Sequence, residues 1–266
     1  MYNSPVSKNQ AHPTGIPGCP ECNGSGWVHL VQNGVAGVQR CDCFRQARID
    51  RLVANARIPS RYAHCELQSF FFSERLTTQK IEMAKIAAEA FVDEFPTTPP
   101  IGLLFMGPQG VGKTHLAVGI IKALMKRKAV PCMFRGFPEL LKEIQMSYSA
   151  VSESSELSLL APVLETDVLV LDELGSQTPS TWVKDTVSYI LNYRYSENKV
   201  TIFTTNYMDS EDPISTRKGL FYSLRDRIGD QMRSRLYEMC KTIGMAGNDF
   251  RQNIMDAEYR QFKKGR

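Results

Sequence analysis

Residues 101–114 read Ile-Gly-Leu-Leu-Phe-Met-Gly-Pro-Gln-Gly-Val-Gly-Lys-Thr, and this stretch decides the fold. Ile101 to Met106 is a short apolar run bounded by Pro100 and Gly107, the pattern of a buried strand. Gly107 to Thr114 then fits G-x-x-x-x-G-K-[ST]. Glycines at those positions let the backbone curl, so that successive N–H groups point inward at phosphate oxygens. From His115 to Arg127 the apolar residues recur at helical spacing, and the start of such a helix adds its positive end to the same point. Strand, glycine loop and helix in that order are what distinguish a phosphate cradle from a chance glycine-rich turn. The candidate nucleotide-binding residues are therefore Gly107, Pro108, Gln109, Gly110, Val111, Gly112, Lys113, Thr114 and His115. Lys113 is placed to reach the outer phosphates of ATP, and the Thr114 hydroxyl to hold Mg²⁺.

The same alternation continues on both sides. Gln79 to Phe95 has helical spacing and ends at Pro96. Val130 to Phe134 reads as a strand and Pro138 to Tyr148 as a helix. Val168 to Leu171 is an almost wholly apolar strand. Trp182 to Tyr195 is a helix, Val200 to Thr204 a strand, Leu220 to Tyr237 a helix and Met239 to Ile243 a final strand. Alternating strands and helices imply an α/β fold with a parallel sheet between helices, and near-continuous apolar strands suit its interior. Ser147 to Ser158, rich in Ser and Glu, reads as a mobile loop.

Two strand ends carry further chemistry. Val168-Leu169-Val170-Leu171 runs into Asp172 and Glu173. Ligands of open α/β sheets bind at the carboxyl ends of strands, which places Asp172 to support Mg²⁺ and Glu173 to polarise an attacking water. Thr201 to Asn206 ends the next strand in Thr-Thr-Asn. Asn206 can hold that water or the last phosphate, although on the residue alone a turn-starting role fits it better. Arg225, Arg227, Arg233 and Arg235 share one predicted helix. Most such arginines form a solvated face, yet P-loop hydrolysis often needs an arginine to neutralise the transition state.

The 266-residue chain suits one full α/β domain plus a small module, and its 42% apolar content is enough for a sizeable core. A net charge of +4 is compatible with nucleic-acid contact without arguing for it. No stretch is long and apolar enough to span a bilayer, and Met1 to Pro20 lacks a signal-peptide pattern, so a cytoplasmic protein is expected. In that reducing compartment the seven cysteines are not a disulfide framework. Cys19, Cys22, Cys41 and Cys43 flank a glycine-rich stretch with too few apolar residues for a core of its own. Four thiolates at this spacing suit tetrahedral Zn²⁺, although the C-x-C pair is tighter than usual and four unrelated thiols are the alternative. Structural zinc binding is worth roughly 10–16 kcal/mol, enough to fold such a module. Cys65, Cys132 and Cys240 read as ordinary buried thiols. The expected organisation is a flexible tail over 1–18, a zinc-binding module and linker helix over 19–57, and the α/β domain over 58–266.

Taken together, Gly107–Thr114, Val168–Gly175, Asn192–Tyr195, Thr204–Asn206, Ser234–Leu236 and Gly247–Arg251 resemble the AAA+ ATPases, and within them the DnaC/DnaI helicase-loader and IstB group. The likeness covers roughly residues 58–251. It implies an AAA+ ATPase core in which Glu173, Asn206 and Arg235 are catalytic, with Arg235 the finger supplied to a neighbouring subunit. Too few residues follow Ile243 for the usual helical lid, so no C-terminal lid domain and no lid arginine are expected. The resemblance implies a DNA replication protein that binds ATP and single-stranded DNA, self-assembles with ATP and delivers a replicative DNA helicase. Phe137 to Ser158 would then approach DNA. Alternatives are an IstB-type transposition helper, a P-loop kinase and a non-hydrolysing adaptor. Cys22 to Gly26 also resembles the zinc repeats of J-type chaperones.

Overall fold

The computed structural model describes residues 15–32, 35–70, 78–148, 156–209 and 223–251. The chain divides into two compact units between Asn55 and Ala56. In the first, β1 (Trp27–Gln32) and β2 (Val35–Arg40) form an antiparallel hairpin, and α1 (Asp42–Asn55) follows. The hairpin lies in the glycine-rich stretch between the cysteine pairs, and α1 begins at Asp42, inside the second pair. Residues 1–14 of the expected tail lie outside the described residues. Gly15 does not: it packs against the Cys43 sulfur and the backbone of Gly26.

The second unit opens with a single 3-10 turn at Ser60–Tyr62 and then α2 (Gln79–Glu94). Thr78 caps α2 by accepting the Ile81 N–H on its side chain. The α/β core follows in order: β3 (Gly102–Met106), α3 (Lys113–Lys128), β4 (Cys132–Gly136), α4 (Phe137–Ser147), α5 (Glu156–Glu165), β5 (Val168–Asp172), α6 (Thr181–Ser196), β6 (Val200–Thr205), α7 (Leu224–Ile228), α8 (Asp230–Met239) and β7 (Cys240–Gly244). The five core strands are all parallel, in the order β4-β5-β6-β3-β7. β3, β5 and β6 are buried along their whole length, as their apolar runs require.

Two expectations change. Glu156 to Ser158, assigned to a mobile loop, begin α5, and 149–155 of that loop lie outside the described residues. Pro162 inside α5 masks its helical pattern in the sequence, while Leu160, Val163 and Leu164 bury one face. Of the helix expected over Leu220–Tyr237, residues 220–222 lie outside the described residues and the rest falls into two helices. They meet at Gly229, whose φ of +85° is left-handed backbone that ends α7.

The strand order positions the site. β6 lies between β5 and β3, so the ends of all three meet along one edge of the sheet. The cradle after β3, the acids at the end of β5 and the Thr-Thr-Asn of β6 are far apart in sequence and adjacent there.

Candidate functional site

The loop from Gly107 to Gly112 connects β3 to α3, with Gly112 at φ +93° as the helix N-cap. Gly110, at φ +76°, has no room for a side chain: a Cβ would fall 1.9 Å from Asp249 Oδ1. Val111 is buried, and Gln109, Gly110, Gly112, Lys113, Thr114 and His115 wall a cavity of about 580 Å³. Lys113 is buried, and its ammonium donates to the carbonyls of Gly107 at 2.8 Å and Pro108 at 2.6 Å. Burial brings the Lys113 amine down to about 8, with the Asp172 charge opposing.

Asp172 ends β5 and is buried behind that wall. Its Oδ1 accepts hydrogen bonds from the hydroxyls of Thr114 at 2.9 Å and Thr204 at 2.6 Å. Burial pushes its carboxyl up to about 6, although both hydroxyls hold it down. A threonine hydroxyl beside a desolvated carboxylate is a hard-oxygen donor set that fits Mg²⁺.

Glu173 is exposed to the cavity and has φ +60°, left-handed backbone for a residue other than glycine. Such a conformation costs about 1–3 kcal/mol and persists only where its surroundings enforce it. Here the Glu173 N–H donates to Thr204 Oγ1 at 2.9 Å, and the Leu174 N–H to Thr204 O at 2.8 Å. Thr205 Oγ1 completes the clamp by donating to Leu174 O at 2.9 Å. Thr204 therefore sets the positions of both acids at once. Its importance is not legible without the pairing of β5 with β6; the sequence signal was the Thr-Thr pair, read only as the approach to Asn206. Asn206 itself faces the cavity.

The opposite wall comes from the segment before α2: Tyr62, His64, Cys65 and Phe70. His115 secures it. Its Nε2 is 2.9 Å from Glu66 O and 3.3 Å from Ser69 Oγ, and its ring meets Phe70 edge-on at 5.2 Å. His115 thus borders the cavity as an anchor of the aromatic wall. Burial raises the Cys65 thiol to about 11, as for an ordinary buried cysteine.

Two arginine-bearing segments lie apart from this cavity. Arg235, on α8, stands over the Tyr195 ring at 5.7 Å and has a buried Nη1 without a hydrogen-bond partner among the described residues. Its neighbour Arg233 is tied to Asp209. Arg194 is fully buried and donates to the carbonyls of Val163, Leu164, Thr166 and Val200 and to Thr201 Oγ1. It joins the end of α5 to the start of β6, a structural clamp. Burial lowers its guanidinium to about 9, with the charges of Asp167 and Glu165 opposing.

In the first unit the four sulfurs of Cys19, Cys22, Cys41 and Cys43 lie within 4.8 Å of one another. Cys19 and Cys41 are 3.7 Å apart, and Cys22 and Cys43 are 3.3 Å apart. A tetrahedron with Zn–S near 2.3 Å has edges of roughly 3.8 Å, so the set fits zinc. The tight C-x-C pair works because Asp42 begins α1: Cys41 precedes the helix and Cys43 sits in its first turn. Burial alone would raise the Cys22 thiol, but hydrogen bonds from Cys43 and from the N–H groups of Gly26 and Gly24 bring it to about 6.

The parallel sheet, the phosphate loop and the paired acids define a P-loop ATPase core of the AAA+ type. The chain belongs to the IstB-like ATP binding protein family, which it matches over residues 38–255. It is 25% identical over 209 residues to the uncharacterized protein YqaM of Bacillus subtilis, covering 76% of this chain and 61% of that relative's length. It is 24% identical over 219 residues to the replicative helicase loader DnaC of Buchnera aphidicola, covering 82% of this chain and 78% of that one. The crystal structure of a DnaC helicase loader superposes with a TM-score of 0.59 at 31% identity, covering 70% of this chain and 99% of that chain. The protein is thus a helicase-loader-like AAA+ ATPase of the DnaC/DnaI and IstB group. No helix among the described residues is long and apolar enough to cross a membrane.

Proposed function

We propose that this protein hydrolyses ATP to control the loading of a replicative DNA helicase onto single-stranded DNA. One observation carries the reading. Lys113, Thr114, Glu173 and Asn206 line one cavity with Asp172 buried behind Thr114, so the two acids are held in different environments. Gly110 to Thr114 cradle the phosphates, and Lys113 leaves its two carbonyls for the outer ones. Thr114 and Asp172 would hold Mg²⁺, which would offset charge on the phosphates. Glu173, exposed to the cavity, takes the proton of the attacking water, and Asn206 orients it. Arg235 serves the site of an adjacent subunit, which ties turnover to assembly. Support for this choice is its separation from the cavity of its own chain and the commitment of Arg233 to Asp209. Cys19, Cys22, Cys41 and Cys43 would hold Zn²⁺, which would supply folding energy to the first unit, and that unit docks the helicase.

The match to the IstB-like family keeps a second reading in place, a transposition helper acting on duplex DNA. Both share the nucleotide site. Lys113→Ala should abolish binding of a fluorescent ATP analogue, and unchanged affinity would refute the site. Co-purification with the replicative helicase of the same cell, in ATP, separates the two roles: a stable complex lost on deleting residues 1–57 supports the loader. No complex, together with a strong preference for duplex DNA, supports the helper.

A further inference from the structure

A second cluster of metal-binding side chains lies in the second unit, in the wall of the cavity. Ligand atoms of His64, Cys65 and His115 all lie within 4.8 Å of one another. His64 Nε2 is 3.7 Å from the Cys65 sulfur, and the His64 and His115 rings meet edge-on with centroids 6.0 Å apart. The surroundings hold this arrangement. Lys122, on α3, donates from Nζ to Ala63 O at 2.7 Å and pairs with Glu66 at 2.6 Å, which brackets His64 and Cys65 against that helix. His115 sits in the first turn of the same helix. Its Nε2 is 2.9 Å from Glu66 O, an acceptor only, so this nitrogen donates and the lone pair is on Nδ1. A backbone carbonyl that fixes one ring nitrogen and leaves the other for a metal is the common support of a ligating histidine. Anchoring the wall needs only that bond. It does not account for a second imidazole set against a buried sulfur.

We propose that His64, Cys65 and His115 form a site for a thiophilic divalent cation of the zinc class, distinct from the Mg²⁺ position at Thr114 and Asp172. Two imidazoles and one thiolate suit Zn²⁺, whereas Mg²⁺ demands oxygen ligands and does not compete for them. With Zn–N near 2.0–2.1 Å and Zn–S near 2.3 Å, ligand atoms on a tetrahedral ion stand roughly 3.3–3.8 Å apart. The His64–Cys65 distance already meets this, and the other pairs need to close by about 1–1.5 Å at most. His64 is exposed and can turn to do so. Cys65 is buried, and burial raises its thiol, so it keeps its proton until the metal arrives. Binding forms the metal–sulfur bond and releases that proton to solvent. Burial lowers His115, which keeps its ring in the neutral form that ligates. All three residues line the cavity, so the fourth position opens into it and takes water. The bound ion staples the segment before α2 to the start of α3, one residue past Thr114.

The test is metal binding by full-length protein, stripped with a chelator, kept reduced without added thiols, and dialysed against Co²⁺ in excess Mg²⁺. Co²⁺ serves as the coloured stand-in for Zn²⁺. The variants are His64→Ala, Cys65→Ala, His115→Ala and the pair Cys19→Ser with Cys22→Ser. Wild type should bind about two ions per chain, and each single variant about one. The paired variant should keep about one ion, with the visible bands of a tetrahedral site and a thiolate-to-cobalt charge-transfer band. Adding Cys65→Ala to the pair should remove that band and weaken binding by more than the roughly 10- to 100-fold that loss of an outer supporting group costs. His64 is exposed, so His64→Ala reads the site even where a buried substitution prevents folding. A second ion that survives both His64→Ala and Cys65→Ala would be a chance surface ion and would overturn the proposal. So would a paired variant that binds none while its helical circular dichroism is intact. One ion in wild type, kept by the pair and lost with Cys65→Ala, would support this site and refute the four-cysteine one.

Discussion

Asp172→Asn should make the nucleotide-free protein more stable and at the same time remove its response to Mg·ATP. The carboxyl is buried, and its pKa is pushed from 3.8 to about 6. At about 1.4 kcal/mol per pH unit, keeping it ionised in the folded state costs roughly 3 kcal/mol. Asparagine keeps an acceptor oxygen for Thr114 or Thr204 and carries no charge. The sign follows from linkage. A raised acid favours the folded state fully below 3.8, and that advantage is lost as pH rises through about 6. The variant should therefore exceed wild type by about 2–3 kcal/mol at pH 8, with the gap closing below pH 6 and absent near pH 4. Urea denaturation at fixed pH steps reads this directly. Mg·ATP at one thousand times its Kd should reverse the order, because wild type then gains about 4.1 kcal/mol and the variant gains little. A gap independent of pH, or a variant less stable at pH 8, would refute the claim that burial strains this acid until a cation arrives.

Arg235→Ala should leave ATP binding intact and lower turnover on the order of 10³-fold or more, as a finger does. Mixing it with Glu173→Gln protein should restore part of the rate in a phosphate-release assay, and normal turnover by Arg235→Ala would place the finger elsewhere. Purified protein should contain about one Zn per chain by metal analysis. Replacing Cys19 and Cys22 together should abolish the metal and unfold the hairpin, while Mg·ATP binding survives. Arg194→Leu strands the buried carbonyls of Val163, Leu164 and Val200 and should cost at least about 3 kcal/mol in urea denaturation. Nucleotide affinity per folded molecule should not change, because Arg194 lies outside the cavity; a selective loss of ATP binding would refute the clamp.

Local pattern was enough to read the cradle, because a strand, a glycine loop and a helix in a row are contiguous and each leaves its own periodicity. It was enough for the apolar strands ending in Asp172 and Asn206, and for four cysteines spaced as metal ligands. Thr204, Arg194 and the anchoring role of His115 were not legible in that way. Thr204 matters because β6 pairs with β5, and His115 because the segment of Glu66 and Ser69 folds against the start of α3. Arg194 illustrates the limit from the other side. The sequence shows an arginine in a motif beside the active elements, and only burial among five hydrogen-bond acceptors makes it a clamp. What a residue type can do is local chemistry, which the sequence alone determined. Which charges share a cavity, and which are desolvated enough to be strained, depends on distances between segments far apart in the chain, and only the tertiary structure decided those.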